Sequence, residues 1–276
     1  MLNLNIEAAK TAANFINSKF NVEIPTTAII LGSGLGTFTQ KVQVLQSIPY
    51  AEIPGFPASN VVGHKACLSL AQLDNGKTVI VLEGRFHYYE GIPTSQVVLP
   101  VTVLHFLGVK NLIVSNAAGG ANKNFAVGDL MIIDDQINFT GNNPLIGHND
   151  SELGPRFVDM SEPYSFELIE LAKNIATKIN LSPKQGTYLS VSGPTYETRA
   201  EVRAFAALGA DAIGMSTVYE VIVANYFKMQ VLGISCITNM ATGIATTKHD
   251  HSEVVNAANR VADNFGNWVK LIAEQI

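Results

Sequence analysis

The chain has 276 residues, 47% hydrophobic and 15% charged, so a large core is available and one or two domains fit the length. The formal net charge is −5 with no long run of Lys and Arg, which argues against nucleic acid as a partner, because phosphate-backbone affinity needs a basic surface. No stretch approaches the roughly 20 apolar residues of a membrane span, and Met1–Phe20 lacks the basic start and apolar run of a signal peptide.

Met1–Phe20 reads instead as an amphipathic helix, with Ile6, Ala9, Ala13 and Ile16 at helical spacing. Thr27–Leu31 reads as a buried strand. Ala66–Leu73 and Lys77–Leu82 flank Asp74-Asn75-Gly76 and predict a hairpin. Ser95–Leu107 is apolar enough for one buried helix. Leu112–Ser115 and Leu130–Ile133 read as strands, and Thr140–Arg156, rich in Gly, Asn and Pro, as the longest loop. Pro163–Ile179 reads as a helix begun by its proline. A strand at Tyr188–Val191, a helix at Glu197–Leu208, a short strand at Ile213–Met215, a helix at Val218–Phe227 and a strand at Val231–Thr238 follow. Ser252–Ile276 closes the chain as a long helix packed down by Trp268. The expectation is one α/β domain spanning 1–276, a central mixed sheet flanked by helices. Cys67 and Cys236 sit in apolar runs and read as buried free thiols, consistent with a reducing cytoplasm.

Several strand ends carry groups suited to an anion or a heterocycle. Gly32-Ser33-Gly34-Leu35-Gly36 follows the first strand, where backbone N–H groups and the Ser33 hydroxyl can approach an oxyanion; a plain tight turn is the other reading. The spacing is neither that of a dinucleotide fold nor that of a P-loop. In Gly84–Gly91, Arg85 offers a fork that matches phosphate, and Arg85, His87 and Tyr89 alternate so that an extended segment aims all three one way. Ser115–Gly120 ends another apolar strand, where small residues let the backbone itself face a ligand or simply form a tight strand exit. Tyr196 can stack on a flat base and Glu197 can accept from ring N–H groups, although an acid in a helix's first turn explains Glu197 equally. Ser216 reads either as a helix N-cap or as a further anion donor. Asn239 offers donor and acceptor to a purine edge, or marks a turn. His105 reads as structural, while His64, His148, His249 and His251 stay open between ligand and surface roles. No cluster has metal-ligand spacing. Exits of this kind converge on one edge of an open α/β sheet.

The ordered strings GSGLG, GRFHYYEG, NAAGG, GPTYET, GMSTVYEV and SCITN resemble the family of trimeric purine nucleoside phosphorylases, from about Thr27 to the last helix. The resemblance implies a phosphate site of Ser33, His64, Arg85, His87, Ala117 and Ser216. It implies nucleoside contacts from Tyr89, Met215, Tyr196, Glu197, Asn239 and His251, with Ala118 and Gly119 lining the base. Phe157 matches an aromatic that a neighbouring subunit lends to the ribose site, so a homotrimer is expected. The activity implied is phosphorolysis of inosine and guanosine to free base and ribose 1-phosphate, including the deoxy forms, in purine salvage. Asn239, Glu197 and His87 carry the chemistry, with no metal or organic cofactor. Tyr196 stands where some members have phenylalanine, which preserves stacking.

Overall fold

The computed structural model describes residues 4–20, 22–58, 65–244 and 251–276, of which 251–254 are described in their backbone alone. Helix α1 spans Ile6–Phe20 and buries Ala9, Ala12, Ala13, Ile16 and Phe20, the stripe its spacing predicts, with Ile6 half-buried. The first strands are β1 (Thr27–Ile30), β2 (Gln43–Pro49), β3 (Cys67–Gln72) and β4 (Thr78–Glu83). β3 and β4 form the expected antiparallel hairpin. Its turn is set by Gly76 at φ +85° and by Asn75, whose side chain accepts from the Lys77 N–H at 3.0 Å. β2 was not expected. It is an edge strand with only Ile48 buried, so it carries no apolar alternation to read.

The helix expected at Ser95–Leu107 is two, α2 (Thr94–Val97) and α3 (Leu99–Phe106). Pro100 has no N–H to continue the ladder from α2 and instead occupies the first turn of α3. β5 (Asn111–Gly120) and β6 (Leu130–Asn138) run well past the apolar segments that announce them. Ser115–Gly120 is therefore not a strand exit but the second half of β5. α4 (Phe166–Lys178) is capped by Ser165, whose hydroxyl accepts from the Leu168 N–H at 3.3 Å, and Pro163 lies outside it. β7 (Lys184–Ser190) precedes α5 (Arg199–Ala207). Thr198 caps α5 in a capping box with Glu201, which leaves Glu197 outside the helix rather than in its first turn. β8 (Ala212–Gly214), α6 (Val218–Tyr226), β9 (Gln230–Met240) and α7 (His251–Ala273) complete the chain. Trp268 on α7 is fully buried and donates to the Ala172 carbonyl on α4 at 2.9 Å, holding down the closing helix.

The described strands form one sheet in the order β2-β3-β4-β1-β5-β8-β7-β6-β9, and β9 also pairs with β5. The second half of the sheet thus closes into a ring of β5, β8, β7, β6 and β9, while β2, β3, β4 and β1 extend from β5 as an open wing. β1 runs parallel to β4 and β5, and β5 parallel to β9. β8 joins β5 only at Gly119 and Gly120, antiparallel. Mixed pairing around a shared β5 gathers the residues that follow β1, β4, β7 and β8 beside the late residues of β5 and β9. No helix among the described residues is long and apolar enough to cross a membrane. Cys236 is buried as expected, whereas Cys67 is only partly so.

Candidate active site

A cavity of about 420 Å³ opens where these segments meet, within the range of small-molecule sites. It is bordered by Ser33, Arg85, His87, Tyr89, Ala117, Tyr196, Glu197, Met215, Ser216 and Asn239, so ten of the residues singled out by sequence share one space. Ala118 and Gly119 border it as well. His64 and His249 lie outside the described residues; His251 begins α7, and its side chain is not described. Phe157 is 87% exposed in the loop between β6 and α4, beside a separate groove with Asp135, Arg156 and Met160. The structure does not bring it to the cavity of its own chain. His105 stacks on Phe227 at 4.0 Å between ring centres, away from the cavity.

The loop after β1 owes its shape to close approach. A Cβ on Gly32 would lie 2.7 Å from the Asn116 Cα on β5. The Gly32 N–H donates to the Ser115 hydroxyl at 3.1 Å, and that hydroxyl donates to the Ile30 carbonyl at 3.0 Å. Gly32 therefore spends its donor inside the fold, and Ser33 is the residue of the loop that reaches the cavity. Gly34 turns at φ +75° beneath α7, where a Cβ would lie 2.5 Å from that of Ala258.

Arg85 and His87 follow β4 and are buried. Arg85 Nε donates to Glu220 Oε1 at 3.0 Å, and its Nη1 donates to the Ser115 carbonyl. Burial lowers the His87 pKa below its ordinary value; a hydrogen bond to Glu90 opposes that shift. Glu90 Oε1 accepts the His87 backbone N–H at 2.8 Å and stands 3.1 Å from the ring Nδ1. A carboxylate accepts only, so with Glu90 ionised the proton of neutral His87 sits on Nδ1. Tyr89 stacks on His87 at 4.7 Å although residues 88–90 form a 3-10 turn rather than an extended segment. Burial pushes its hydroxyl pKa up to about 12.

Ser216 is not the cap of α6. Thr217 holds that position at φ +73° and ψ −52°, and the Val218 N–H donates to the Ser216 carbonyl at 2.8 Å. This is a γ-turn of positive φ, strained for a β-branched residue. It is held by Asn116 Nδ2 donating to Thr217 Oγ1 at 2.9 Å, and the Ser216 and Thr217 hydroxyls are 3.1 Å apart. Strain of this kind concentrates at functional sites, and here it turns Ser216 toward the cavity.

Asn239 is inside β9, not in a turn. The β5–β9 register slips so that Ala118 pairs with Ile237 and Gly119 with Asn239, leaving Thr238 as an extra residue. A regular strand sends neighbouring side chains to opposite faces; this bulge lets both Thr238 and Asn239 border the cavity. The Thr238 hydroxyl donates to Asn239 Oδ1 at 3.1 Å, and Asn239 Nδ2 donates to the Met240 carbonyl at 3.4 Å. Burial raises the Glu197 pKa above the usual carboxylate value.

Sequence reasoning missed Glu90, Asn116, Thr217 and Glu220, which act behind the cavity wall. Glu220 did carry a signal, because it is the single charge in the apolar run Val218–Ala224, and a charge there needs a buried partner.

A family model described as the phosphorylase superfamily matches residues 26–274. "Purine nucleoside phosphorylase 1" of Geobacillus stearothermophilus is 50% identical over 273 residues, 99% of either chain. The mouse (Mus musculus) purine nucleoside phosphorylase is 44% identical over 259 residues, 91% of this chain and 89% of its own. A crystal structure of Schistosoma mansoni purine nucleoside phosphorylase in complex with adenosine superposes with a TM-score of 0.93 at 36% identity, over 100% of this chain and 99% of that one. Matches that span both chains from end to end, and a cavity assembled from the very strings that carried the resemblance, have one reading: the chain belongs to the phosphorylase superfamily, among the purine nucleoside phosphorylases.

Proposed function

We propose that this chain cleaves 6-oxopurine nucleosides with inorganic phosphate, giving free base and (deoxy)ribose 1-phosphate. The observation that carries the reading is one cavity bordered both by Ser33, Arg85, His87 and Ser216 and by Glu197 and Asn239. The first set suits an oxyanion and the second a purine edge. Kinship with the purine nucleoside phosphorylases supports the same reaction.

The C1′–N9 bond breaks with its electron pair passing to the purine. Asn239 donates to N7 and stabilises that charge, while Glu197 accepts from N1–H. The ribose gains oxocarbenium character, and a phosphate oxygen held by Arg85, Ser33, Ser216, His87 and the Ala117 backbone bonds to C1′ from the opposite face. Tyr196 stacks on the base, and Tyr89 and Met215 flank the ribose. Catalysis rests on positioning and preorganised charge. Two substrates close the stoichiometry without a metal or organic cofactor. His64 completes the phosphate set and His251 meets the 5′-hydroxyl, as the resemblance implies. The whole chain acts as one domain in a homotrimer, with Phe157 lent to a neighbouring site; its exposure and the apolar Ile146, 60% exposed, support that role. Purine salvage in the cytoplasm is the setting this chemistry fits.

The test is release of hypoxanthine from inosine with and without phosphate, with guanosine and adenosine alongside. Release that needs phosphate, shared by guanosine and slow for adenosine, supports the reading; equal release without phosphate means a hydrolase. Because the Schistosoma structure holds adenosine, turnover rather than occupancy is the discriminating readout.

A further inference from the structure

Arg85 meets phosphate through a rigid planar fork, and a fork is useful only if its plane is held. The Ser115 carbonyl at Nη1 and the Glu220 carboxylate at Nε, 3.0 Å away, hold it. Glu220 belongs to the first turn of α6, and its side chain is only 5% exposed, against 3% for Arg85. It does not border the main cavity. It borders instead a small cavity of about 10 Å³, about the size of one water, shared with His87, Ser216 and Thr217. Glu220 thus stands behind the wall whose front presents His87 and Ser216.

A purely structural role explains this arrangement poorly. A buried ion pair gains little over apolar packing, because desolvation offsets the attraction. This pair is also incompletely satisfied, since Glu220 Oε2 is buried with no hydrogen-bond partner among the described residues. α6 otherwise buries Val218, Val221, Val223 and Ala224, so an apolar side chain fits the helix at least as well. The cost is explained if the carboxylate has a task at Arg85.

We propose that Glu220 is the positioning residue of the phosphate subsite, fixing the plane of the Arg85 guanidinium so that phosphate meets a preset fork. The inference rests on the phosphorolytic reading above. The Glu220 hydrogen bond goes to Arg85, so phosphate use depends on it and nucleoside use does not.

The experiment is steady-state kinetics of the full-length protein and its E220Q and E220A variants, with the KM for phosphate and for inosine measured separately and folding checked by thermal unfolding. Gln keeps an acceptor for Nε; Ala removes it. E220A raises the phosphate KM by about tenfold or more, the usual cost of losing a hydrogen bond to a charged group. E220Q raises it less, and the inosine KM moves by less than about twofold in either, since the Glu197–Asn239 side is untouched. A structural role moves stability without this split. Unchanged phosphate KM in folded E220Q, or an inosine KM that rises in step, overturns the proposal; if E220A does not fold, E220Q alone decides on the same criterion. Should the unaltered protein release hypoxanthine without phosphate, the functional reading fails instead, and the two failures are told apart by that control.

Discussion

Asn239→Asp is the sharpest probe of base recognition. The substitution is nearly isosteric and keeps the acceptor that Thr238 meets at 3.1 Å, so the β9 bulge has no reason to rearrange. It replaces Nδ2 by a second oxygen. That oxygen faces the Met240 carbonyl across the 3.4 Å now bridged by an N–H, and it can no longer donate to N7. Asn239 Nδ2 lies over Gly119, where an added Cβ would come within 3.1 Å, so the glycine is what admits the side chain at this place. Removing one donor aimed at developing charge costs about 2.7–4 kcal/mol, or on the order of 10²–10³ in turnover. Inosine and guanosine kcat/KM fall by that factor. Adenosine falls less or gains, because the new oxygen accepts from the 6-amino group. The assay compares kcat/KM for the three nucleosides at saturating phosphate. Inosine turnover within about threefold of the unaltered protein, with adenosine unchanged, would refute the assignment of Asn239.

Thr217→Gly relieves the γ-turn at φ +73° and removes the hydroxyl that Asn116 holds at 2.9 Å. Thermal unfolding changes by about 1 kcal/mol or less as these effects offset, whereas the phosphate KM rises because Ser216 loses its aim. Glu197 accepts N1–H most strongly when ionised, and burial raises its pKa, so inosine kcat/KM declines on acidification at a pH above the ordinary carboxylate value. Protonated Glu197 can donate to the bare N1 of adenosine, so the adenosine-to-inosine ratio of kcat/KM rises as pH falls; a pH-independent ratio counts against the role. If Phe157 serves a neighbouring site, mixing inactive Phe157→Ala and Arg85→Ala chains restores activity in mixed oligomers, and none returns if each chain is self-sufficient.

Where local chemistry and the final contact coincide, the sequence was legible. β1 and the β3–β4 hairpin were read from apolar runs and Asn-Gly turn chemistry, and the stripe on α1 from its period. The cavity residues were readable because each sits in a short string of unusual composition. What escaped depends on partners far along the chain. β2 exposes Val44 and Leu45 and buries only Ile48, so its pairing with β3 leaves no pattern. The extension of β5 to Gly120 is fixed by β9 and β8, not by the small residues themselves. Glu90 was quoted in its string without a role, because its work is to hold His87 rather than a substrate. The loop Gly32–Gly36 was open between an anion site and a plain turn, because Ser115, which takes the Gly32 N–H, lies 83 positions away.

The central claim is that phosphate attacks C1′, and the fate of the sugar tests it most directly. Inosine and phosphate are incubated with the protein and followed by phosphorus NMR. The account predicts a phosphomonoester of ribose, inverted at C1′, that accumulates mole for mole with hypoxanthine. Free ribose in its place, with the phosphate unchanged, contradicts it.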